Sequence, residues 1–293
     1  MQLLYQCPVC KSPRIVPYAM KYTPGFPHIS RTKCKDCGIA FANPMASLDE
    51  LMSFYTNYYD KGNFGALDYK QRVSKKIKEA DTIDITELQK RKQAVLQYRN
   101  TGSFLDVGFG LGEELALFHR LGFTVYGTEF DQDCINFISN YIPDAGLFRG
   151  DLLQARYPDA SFDVINVFHV IEHLIDPVAY IKELQRILKP GGVLIIGTPD
   201  IGSFAYRVYR LINFATLRVP SIVDGLEHTV VFNKKTLAAS IADHGFEITE
   251  HYRESLGDSL ANILAGNMSF RKKIVRYLQT FVRLNQVLIA RKL

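Results

Sequence analysis

The sequence lacks any apolar run near the roughly 20 residues that a membrane-spanning helix needs. Its first residues, MQLLYQC, also lack the basic stretch and apolar core that begin a secretory signal. Both absences argue against a membrane-spanning or exported protein, and we expect a cytoplasmic one.

Acidic residues are absent after Asp258, although basic residues continue to the end of the sequence. The basic residues there are Arg271, Lys272, Lys273, Arg276, Arg283, Arg291 and Lys292. Such a segment predicts an anionic partner: a phosphate-bearing substrate, a membrane surface or nucleic acid. A solvated helix face is the alternative interpretation.

The most informative segment is FLDVGFGLG at residues 104–112. An apolar run, typical of a buried parallel strand, is followed by Gly108, Gly110 and Gly112 and then by an amphipathic helical pattern. Glycines let the backbone approach a ligand closely. A dinucleotide fingerprint would need its third glycine where Glu113 stands. The acidic Asp106 instead favours a ligand that is cationic at this end, such as S-adenosylmethionine.

Acidic residues recur after the next strands. Glu129 ends the second strand, 23 positions after Asp106, where a carboxylate can accept both ribose hydroxyls. Asp151 follows the third strand and can accept a proton from an adenine amino group. Phe168 ends the fourth strand, at 162–168, and is a further candidate for cofactor contact.

With these elements in order, residues 100–293 resemble class I S-adenosylmethionine-dependent methyltransferases. The segments FHVIEHL at 168–174 and LKPGG at 188–192 further resemble the small-molecule branch, which includes ubiquinone-biosynthesis O-methyltransferases and sugar methyltransferases. The resemblance implies an α/β fold with a Rossmann-like seven-stranded sheet, finishing with strands at 246–250 and 286–290. A doubly wound domain that binds another nucleotide is the alternative.

Two C-x-x-C pairs lie near the start of the sequence: Cys7 with Cys10, and Cys34 with Cys37. Together they offer four thiolates, the tetrahedral set that zinc prefers in structural sites. Disulfides are disfavoured in a cytoplasmic protein, and a redox motif needs one pair beside a βαβ unit. The spacing therefore predicts a small amino-terminal zinc ribbon. The fifth cysteine, Cys134, is expected to be a buried apolar residue on a helix.

The sequence predicts three parts: a zinc ribbon at 1–45, a helical linker or cover at 46–100, and the methyltransferase domain at 101–293. Ser47 and Glu50 predict a capping box that opens a helix.

Within the third part, residues 199–245 form a connection far longer than usual. Such connections carry substrate specificity, so we predict a substrate lid. Arg207, Arg210 and Arg218 are interleaved with its apolar residues, and a membrane-contacting face is the alternative.

His173 and His228 are the candidates for a catalytic base. Methyl transfer from a sulfonium requires alignment of the nucleophile, and an alcohol also needs a base within hydrogen-bond reach. Alternatively, His173 caps a helix or holds Glu172. A catalytic metal bound by His169, Glu172 and His173 also stays open. The ubiquinone-pathway enzymes that the segment resembles have a glutamate where this sequence has His169, and they are thought to bind magnesium there.

We therefore expect an S-adenosylmethionine-dependent methyltransferase with structural zinc. The expected acceptor is a small molecule, a sugar or a nucleotide- or lipid-linked saccharide that bears phosphate, in polysaccharide biosynthesis. Peripheral membrane contact stays open. The alternative is an RNA methyltransferase that binds RNA through the ribbon and the basic tail. The ribbon has no dense Lys/Arg patch, and no Asn/Asp-Pro-Pro-Tyr or Pro-Cys segment follows strand four, so the sequence disfavours nucleic acid.

Overall fold

The structure is a computed structural model that describes residues 1–18, 30–55, 90–204, 207, 228–254 and 285–293. The strands are β1 (Ile15–Pro17), β2 (Ser30–Cys34), β3 (Ala40–Asn43), β4 (Gly102–Val107), β5 (Phe123–Glu129), β6 (Gly146–Arg149), β7 (Phe162–Phe168), β8 (Leu188–Pro199), β9 (Val230–Val231), β10 (Phe246–Glu254) and β11 (Asn285–Lys292). The helices are α1 (Leu48–Tyr55), α2 (Lys90–Tyr98), α3 (Glu113–Arg120), α4 (Gln132–Tyr141), α5 (Leu152–Ala155), α6 (Pro177–Ile187) and α7 (Lys234–Ala242). A 3-10 turn spans Ile171–His173.

Seven strands form one sheet in the order β10-β11-β8-β7-β4-β5-β6. Strands β4 to β8 run parallel, whereas β11 is antiparallel to both of its neighbours, β8 and β10. The predicted fold class is confirmed, and the last two strands lie where the sequence placed them. The chain proceeds from β4 to β5 on one side and to β7 on the other, so β4 is the switch point where such sheets bind ligands.

The central strands are buried because both faces of the sheet are covered. In β7, Phe162, Val164, Ile165 and Val167 are each at most 2% exposed. The side chains that alternate along the strand enter two hydrophobic clusters, one containing Phe162 and Ile165 and the other containing Val164. Near-continuous apolar strands of this kind are typical of parallel sheets with helices on both faces.

The second sheet has the order β1-β2-β3-β9 and is antiparallel throughout. Its fourth strand comes from much later in the chain, because Val230 pairs with Phe41 and Val231 with Ala40. Phe41 also belongs to the same hydrophobic cluster as Ile196 of β8. The domain boundaries at 45 and 100 stay a prediction, but the amino-terminal sheet and the large sheet share one core.

The predicted capping box is present at the start of α1. Ser47 N donates to Glu50 Oε2 at 2.8 Å, and Glu50 N donates to Ser47 Oγ at 3.3 Å. Cys134 is fully buried on α4, as expected.

The described parts of the 199–245 connection lie side by side. Ile201 N donates to Phe232 O at 3.1 Å, so the chain leaves β8 and returns to α7 at neighbouring points. Most of the predicted lid lies outside the described residues, including Arg210 and Arg218, while Arg207 is exposed.

The predicted basic tail also lies mostly outside the described residues, from Arg271 to Arg283. Arg291 and Lys292 belong to β11, where Lys292 Nζ donates to Leu188 O at 2.8 Å. Among the described helices, none has both the length and the apolarity to cross a bilayer.

Candidate active site

The turn from β4 to α3 has a backbone that requires glycine. Gly108, Gly110 and Gly112 have φ values of +66°, +55° and +73°, in the left-handed region. A Cβ on Gly108 would lie 2.7 Å from Cγ2 of Val170, and one on Gly112 would lie 2.2 Å from Cδ1 of Ile138. The backbone conformation and close side-chain packing thus explain two of the glycines, and their contact with a cofactor stays a prediction.

Glu129 ties the end of β5 to this glycine turn. Its Oε2 accepts from Gly110 N at 2.9 Å, and its Oε1 accepts from Phe130 N at 2.7 Å and Asp131 N at 3.1 Å. Burial nevertheless raises the pKa of the Glu129 carboxyl, because three backbone donors offset only part of the desolvation. Each carboxylate oxygen has further lone-pair capacity, so Glu129 can still accept hydrogen bonds from a ligand.

Asp106 is the most perturbed acid at the turn. It is 4% exposed, and Asn166 Nδ2 donates to its Oδ1 at 2.8 Å. Burial raises the pKa of Asp106 to about 8, and the negative charge of Glu114 adds to the rise. Neither Asp106 nor Glu129 forms an ion pair with another described residue. A positively charged ligand group would therefore stabilise the ionised form of Asp106.

Asp151 lies near Glu129, because Gly150 N donates to Glu129 O at 2.9 Å. Its side chain has a local structural role as the N-cap of α5: Oδ1 accepts from Leu153 N at 2.8 Å. Asp151 N donates to Gln154 Oε1 at 3.2 Å, which completes a capping box. The predicted contact with adenine stays a prediction, with one carboxylate oxygen already engaged.

Arg91, which was not among the predicted site residues, covers Phe168 at the end of β7. The guanidinium carbon of Arg91 lies 4.0 Å from the ring centroid of Phe168. Its nitrogens pair with Glu114 at 2.9 Å and Glu254 at 3.3 Å, and the residue is only 7% exposed. Helix α2 therefore places a buried arginine, stacked on an aromatic ring, at this end of the sheet. The helical linker or cover at 46–100 stays a prediction.

The two predicted catalytic histidines lie together. His173 ends the 3-10 turn after β7, His228 precedes β9, and their ring centroids are 5.0 Å apart. Both are partly buried. The Cβ position of Gly108 is in contact with Val170, three residues before His173, so the pair is close to the glycine turn. A direct role in catalysis stays a prediction.

Glu172 is buried between these histidines and β8. Its Oε1 lies 3.0 Å from His169 Nδ1, and Thr198 Oγ1 donates to its Oε2 at 2.9 Å. Burial opposes ionisation, but the His169 hydrogen bond and the charges of His169, His173 and His228 outweigh it. Together they lower the pKa of Glu172 to about 2. Glu172 is therefore an anion at neutral pH.

The candidate ligands of a catalytic metal differ from the predicted set. Ligand atoms of Glu172, His173 and His228 all lie within 4.8 Å of one another. His169 lies outside this group: its Nδ1 is bonded to Glu172, and its Nε2 lies 3.2 Å from Asn285 Nδ2. Two imidazoles with one carboxylate can hold a transition-metal ion, whereas a hard cation prefers more oxygen ligands.

The four cysteines of the amino-terminal sheet form a second cluster. The Sγ atoms of Cys7, Cys10, Cys34 and Cys37 all lie within 4.8 Å of one another. Cys7 and Cys37 are 3.7 Å apart, and Cys10 and Cys34 are 3.6 Å apart. Tetrahedral zinc with Zn–S bonds of about 2.3 Å requires S···S separations of about 3.8 Å. The thiols are free, at distances far beyond a disulfide bond of about 2.05 Å, so the donor set fits zinc.

Similar proteins cover parts of the chain. A protein of Mycolicibacterium smegmatis, named "Probable S-adenosylmethionine-dependent methyltransferase", is 34% identical over 101 residues, covering 34% of this chain and 39% of its own length. A ubiquinone biosynthesis O-methyltransferase of a Caulobacter species is 27% identical over 122 residues, covering 37% and 48%. The chain thus spans less than half of these relatives.

A crystal structure of a SAM-dependent methyltransferase from Archaeoglobus fulgidus has the same fold, with a TM-score of 0.50. It is 20% identical, and the match covers 71% of this chain and 95% of that one. Residues 77–251, more than half of the chain, match the methyltransferase domain family. The chain therefore belongs to the methyltransferase domain family.

Proposed function

We propose that this protein is an S-adenosylmethionine-dependent methyltransferase that methylates an oxygen of a small acceptor, a sugar or a nucleotide- or lipid-linked saccharide. The observation that carries the proposal is the pairing of His173 with His228, with ring centroids 5.0 Å apart, close to the glycine turn after β4. A glycine turn of the kind that binds nucleotides, beside paired imidazoles, suits group transfer to a hydroxyl that must lose a proton.

The residues at the turn fit the cofactor, which supplies an activated methyl group on a sulfonium. Asp106 and the glycines Gly108, Gly110 and Gly112 would hold its methionine and ribose side. Glu129 would accept the ribose hydroxyls and Asp151 would contact the adenine. Phe168 ends β7, on the opposite side of β4 and β5 from Asp151, and would contact another part of the cofactor. The buried carboxyl of Asp106 supports this assignment, because burial raises its pKa to about 8 and a positively charged group beside it would stabilise the ionised form.

One of the two imidazoles would accept the proton of the acceptor hydroxyl, and we assign this role to His173 first. The anionic Glu172 lies beside both rings, where its charge stabilises an imidazolium as it forms. Glu172 itself is held by His169 and Thr198, so it orients the histidine pair without moving.

Zinc at Cys7, Cys10, Cys34 and Cys37 is part of the proposal as a structural ion. The four sulfur atoms occupy all four positions of a tetrahedron, so no position would be open for a reacting group. Metal analysis of protein purified without chelators should find one zinc per chain. A disulfide within either pair would contradict this assignment.

An acceptor that bears phosphate would meet the basic residues of the 199–245 connection. This proposal rests on Arg207, Arg210 and Arg218 in the sequence. A Michaelis constant for the acceptor that rises with salt, and that rises further on loss of these arginines, would support it.

The test of the proposed function uses methyl-labelled S-adenosylmethionine with fractionated cell extract, followed by mass identification of the labelled product. With that acceptor, His173→Ala should lower the methyl-transfer rate by about 10²- to 10⁴-fold, because proton transfer in the transition state contributes that much. The affinity for S-adenosylhomocysteine should stay unchanged. A parallel loss of rate, cofactor affinity and stability would instead assign His173 a structural role.

A further inference from the structure

The two proposed catalytic histidines come from distant parts of the chain, and the amino-terminal sheet lies behind one of them. His173 is held by its own 3-10 turn, where its N–H donates to Val170 O at 2.9 Å. His228 lies 55 residues later, at the point where the chain enters β9. Something must fix the position of His228 relative to His173, and the next residue, Thr229, does so through several hydrogen bonds.

Thr229 is fully buried, and one side of it binds the turn that carries His173. Its N–H donates to Glu172 O at 2.9 Å. Its hydroxyl lies 3.0 Å from Glu172 O and 2.7 Å from Leu174 O, to either of which it donates. Thr229 therefore attaches the backbone beside His228 to the residues on either side of His173.

The carbonyl of Thr229 faces the opposite way, toward the amino-terminal sheet. It accepts a hydrogen bond from Ala42 N at 2.8 Å, and the pairing continues through Phe41 with Val230 and Ala40 with Val231. Strand β3 thus extends the hydrogen-bonded ladder directly to the residue that follows His228. Thr229 is therefore hydrogen-bonded to the amino-terminal sheet on one side and to the 3-10 turn on the other.

The cysteine cluster is attached to the same segment. Cys37 O accepts from Asn233 Nδ2 at 2.9 Å and also from Thr236 Oγ1, at the start of α7. A Cβ on Gly38 would lie 2.9 Å from Asn233 Nδ2, so the cysteine loop packs against this cap without a gap. Residues 229–236 are therefore held by the cysteine loop at one end and by the 3-10 turn at the other.

We propose that Thr229 is a positioning residue that sets His228 against His173, and that the amino-terminal cysteine sheet is thereby a part of the catalytic centre. The catalytic meaning of this inference rests on the proposed function, because it assumes that the histidine pair acts in methyl transfer. The geometric claim stands on the hydrogen bonds alone.

The experiment uses the full chain with ¹³C-labelled histidine, since seven histidines give a spectrum that can be assigned by substitution. The readout is the nuclear Overhauser effect between the imidazole protons of His173 and His228, which report on rings 5.0 Å apart. Thr229→Val removes the hydroxyl but preserves the side-chain shape and the backbone hydrogen bonds. It should weaken the effect, because the hydroxyl bonds to Glu172 O and Leu174 O are lost while the backbone bonds remain, whereas Thr229→Ser, which keeps the hydroxyl, should retain the full effect.

Thr249→Val is the matched control, because the Thr249 hydroxyl also donates to a strand carbonyl, Ile289 O at 3.1 Å, within the large sheet and not within the cysteine sheet. It should leave the histidine signals unchanged. Asn233→Asp tests the cysteine side: it keeps an acceptor for the α7 cap but loses the donor to Cys37 O, and it should weaken the effect without abolishing it.

An unchanged Overhauser effect in Thr229→Val would overturn the proposal, and so would an equal loss in Thr249→Val. If Thr229→Val fails to fold, Thr229→Ser and Asn233→Asp decide: the former must match the unaltered chain, and the latter must weaken the effect. Calorimetry with S-adenosylhomocysteine is run on every variant. Absence of binding by the unaltered chain would refute the proposed function while leaving the comparison of histidine signals intact.

Discussion

Three carboxylates lie along one edge of the large sheet, Asp106 and Glu172 buried and Glu129 partly buried, and their ionisation differs. At the glycine turn, burial raises the pKa of Asp106 to about 8 and also raises the pKa of Glu129. At the histidine pair, Glu172 is equally buried, yet its pKa falls to about 2. The difference is not exposure but neighbours. Glu172 has histidines around it, whereas Asp106 has Asn166 and the negative charge of Glu114.

The two regions differ in whether neighbouring groups already stabilise the charged form of the carboxylate. The carboxylate of Glu172 already has the His169 imidazole and the Thr198 hydroxyl as partners, so its geometry is set before any substrate arrives. The Asp106 region holds carboxyl groups whose charged form is disfavoured, and a ligand with a positive charge relieves that cost. We therefore expect substitutions at Glu172 to reduce stability, and those at Asp106 and Glu129 to reduce cofactor binding.

The largest effect is expected at Glu172. Glu172→Ala leaves the buried Thr198 hydroxyl and the exposed His169 imidazole without their acceptor, and hydrogen bonds to a charged group contribute about 1.5 to 3 kcal/mol each to the unfolding free energy. Urea denaturation at pH 7 measures it. The matched control is Glu247→Ala, at an exposed glutamate of β10, which should change stability by less than about 0.5 kcal/mol.

Because of Glu172, the free energy of unfolding should depend on pH in the acidic range. Because the folded pKa of Glu172 is lowered from 4.5 to about 2, its contribution is complete above pH 4.5 and is lost as pH falls toward 2. The shift corresponds to about 3 kcal/mol. Glu172→Gln should flatten this part of the stability profile. A profile identical to that of the unaltered chain would show that Glu172 is not ionised in the fold.

The next largest effect is expected at Glu129. Glu129→Ala removes the acceptor that the proposed ribose hydroxyls would use, and hydrogen bonds to charged groups predict a loss of about 2 to 3 kcal/mol in binding free energy. Calorimetric titration with S-adenosylhomocysteine measures it. The unfolding free energy must be measured in parallel, because Glu129 also accepts from Gly110 N. Unchanged affinity would contradict the cofactor assignment.

The smallest expected effect is the release of a proton from Asp106 when the cofactor binds. Since Asp106 has a pKa of about 8 in the free protein, it is mostly protonated at pH 7 and must lose its proton to pair with a cation. Affinity for S-adenosylmethionine should therefore rise between pH 6 and 8, by about 1.4 kcal/mol per pH unit at most. Calorimetry in buffers of different ionisation enthalpy should detect proton release at pH 7. Asp106→Asn should abolish it, and equal release in this variant would assign the proton elsewhere.

The fold was predictable because its signals are local. Each parallel strand is a short apolar run followed by a turn residue, as at 104–107 and 162–168, and buried strands keep that pattern wherever they lie. The cysteine cluster was predictable for the same reason. The N-cap role of Asp151 was also predictable, because Asp151 and Gln154 have the spacing of a capping box, but it was not among the predictions.

What was missed depends on contacts between distant residues. Nothing near Arg91 in the sequence indicates that it stacks on Phe168, 77 positions later, since the surrounding segment is charged throughout. The pairing of β9 with β3 was invisible because two residues, Val230 and Val231, are too few to show a strand period. His228 replaces His169 in the candidate metal set because Thr229 N donates to Glu172 O, a contact between residues 57 positions apart that the local motif does not show.

The two ends of the 199–245 connection lie side by side, and this affects how its middle segment could be exchanged. Ile201 and Phe232 are joined by a hydrogen bond at 3.1 Å, so the two ends of any intervening segment are already fixed by the scaffold. The entropy of closing a flexible loop grows only with the logarithm of its length, about 0.6 kcal/mol for each doubling. Segments of very different length and composition could therefore be grafted after Ile201 and before His228, so that His228, Thr229 and β9 are kept and the sheet beneath stays intact. This part of the connection is the place to exchange acceptor specificity by recombination.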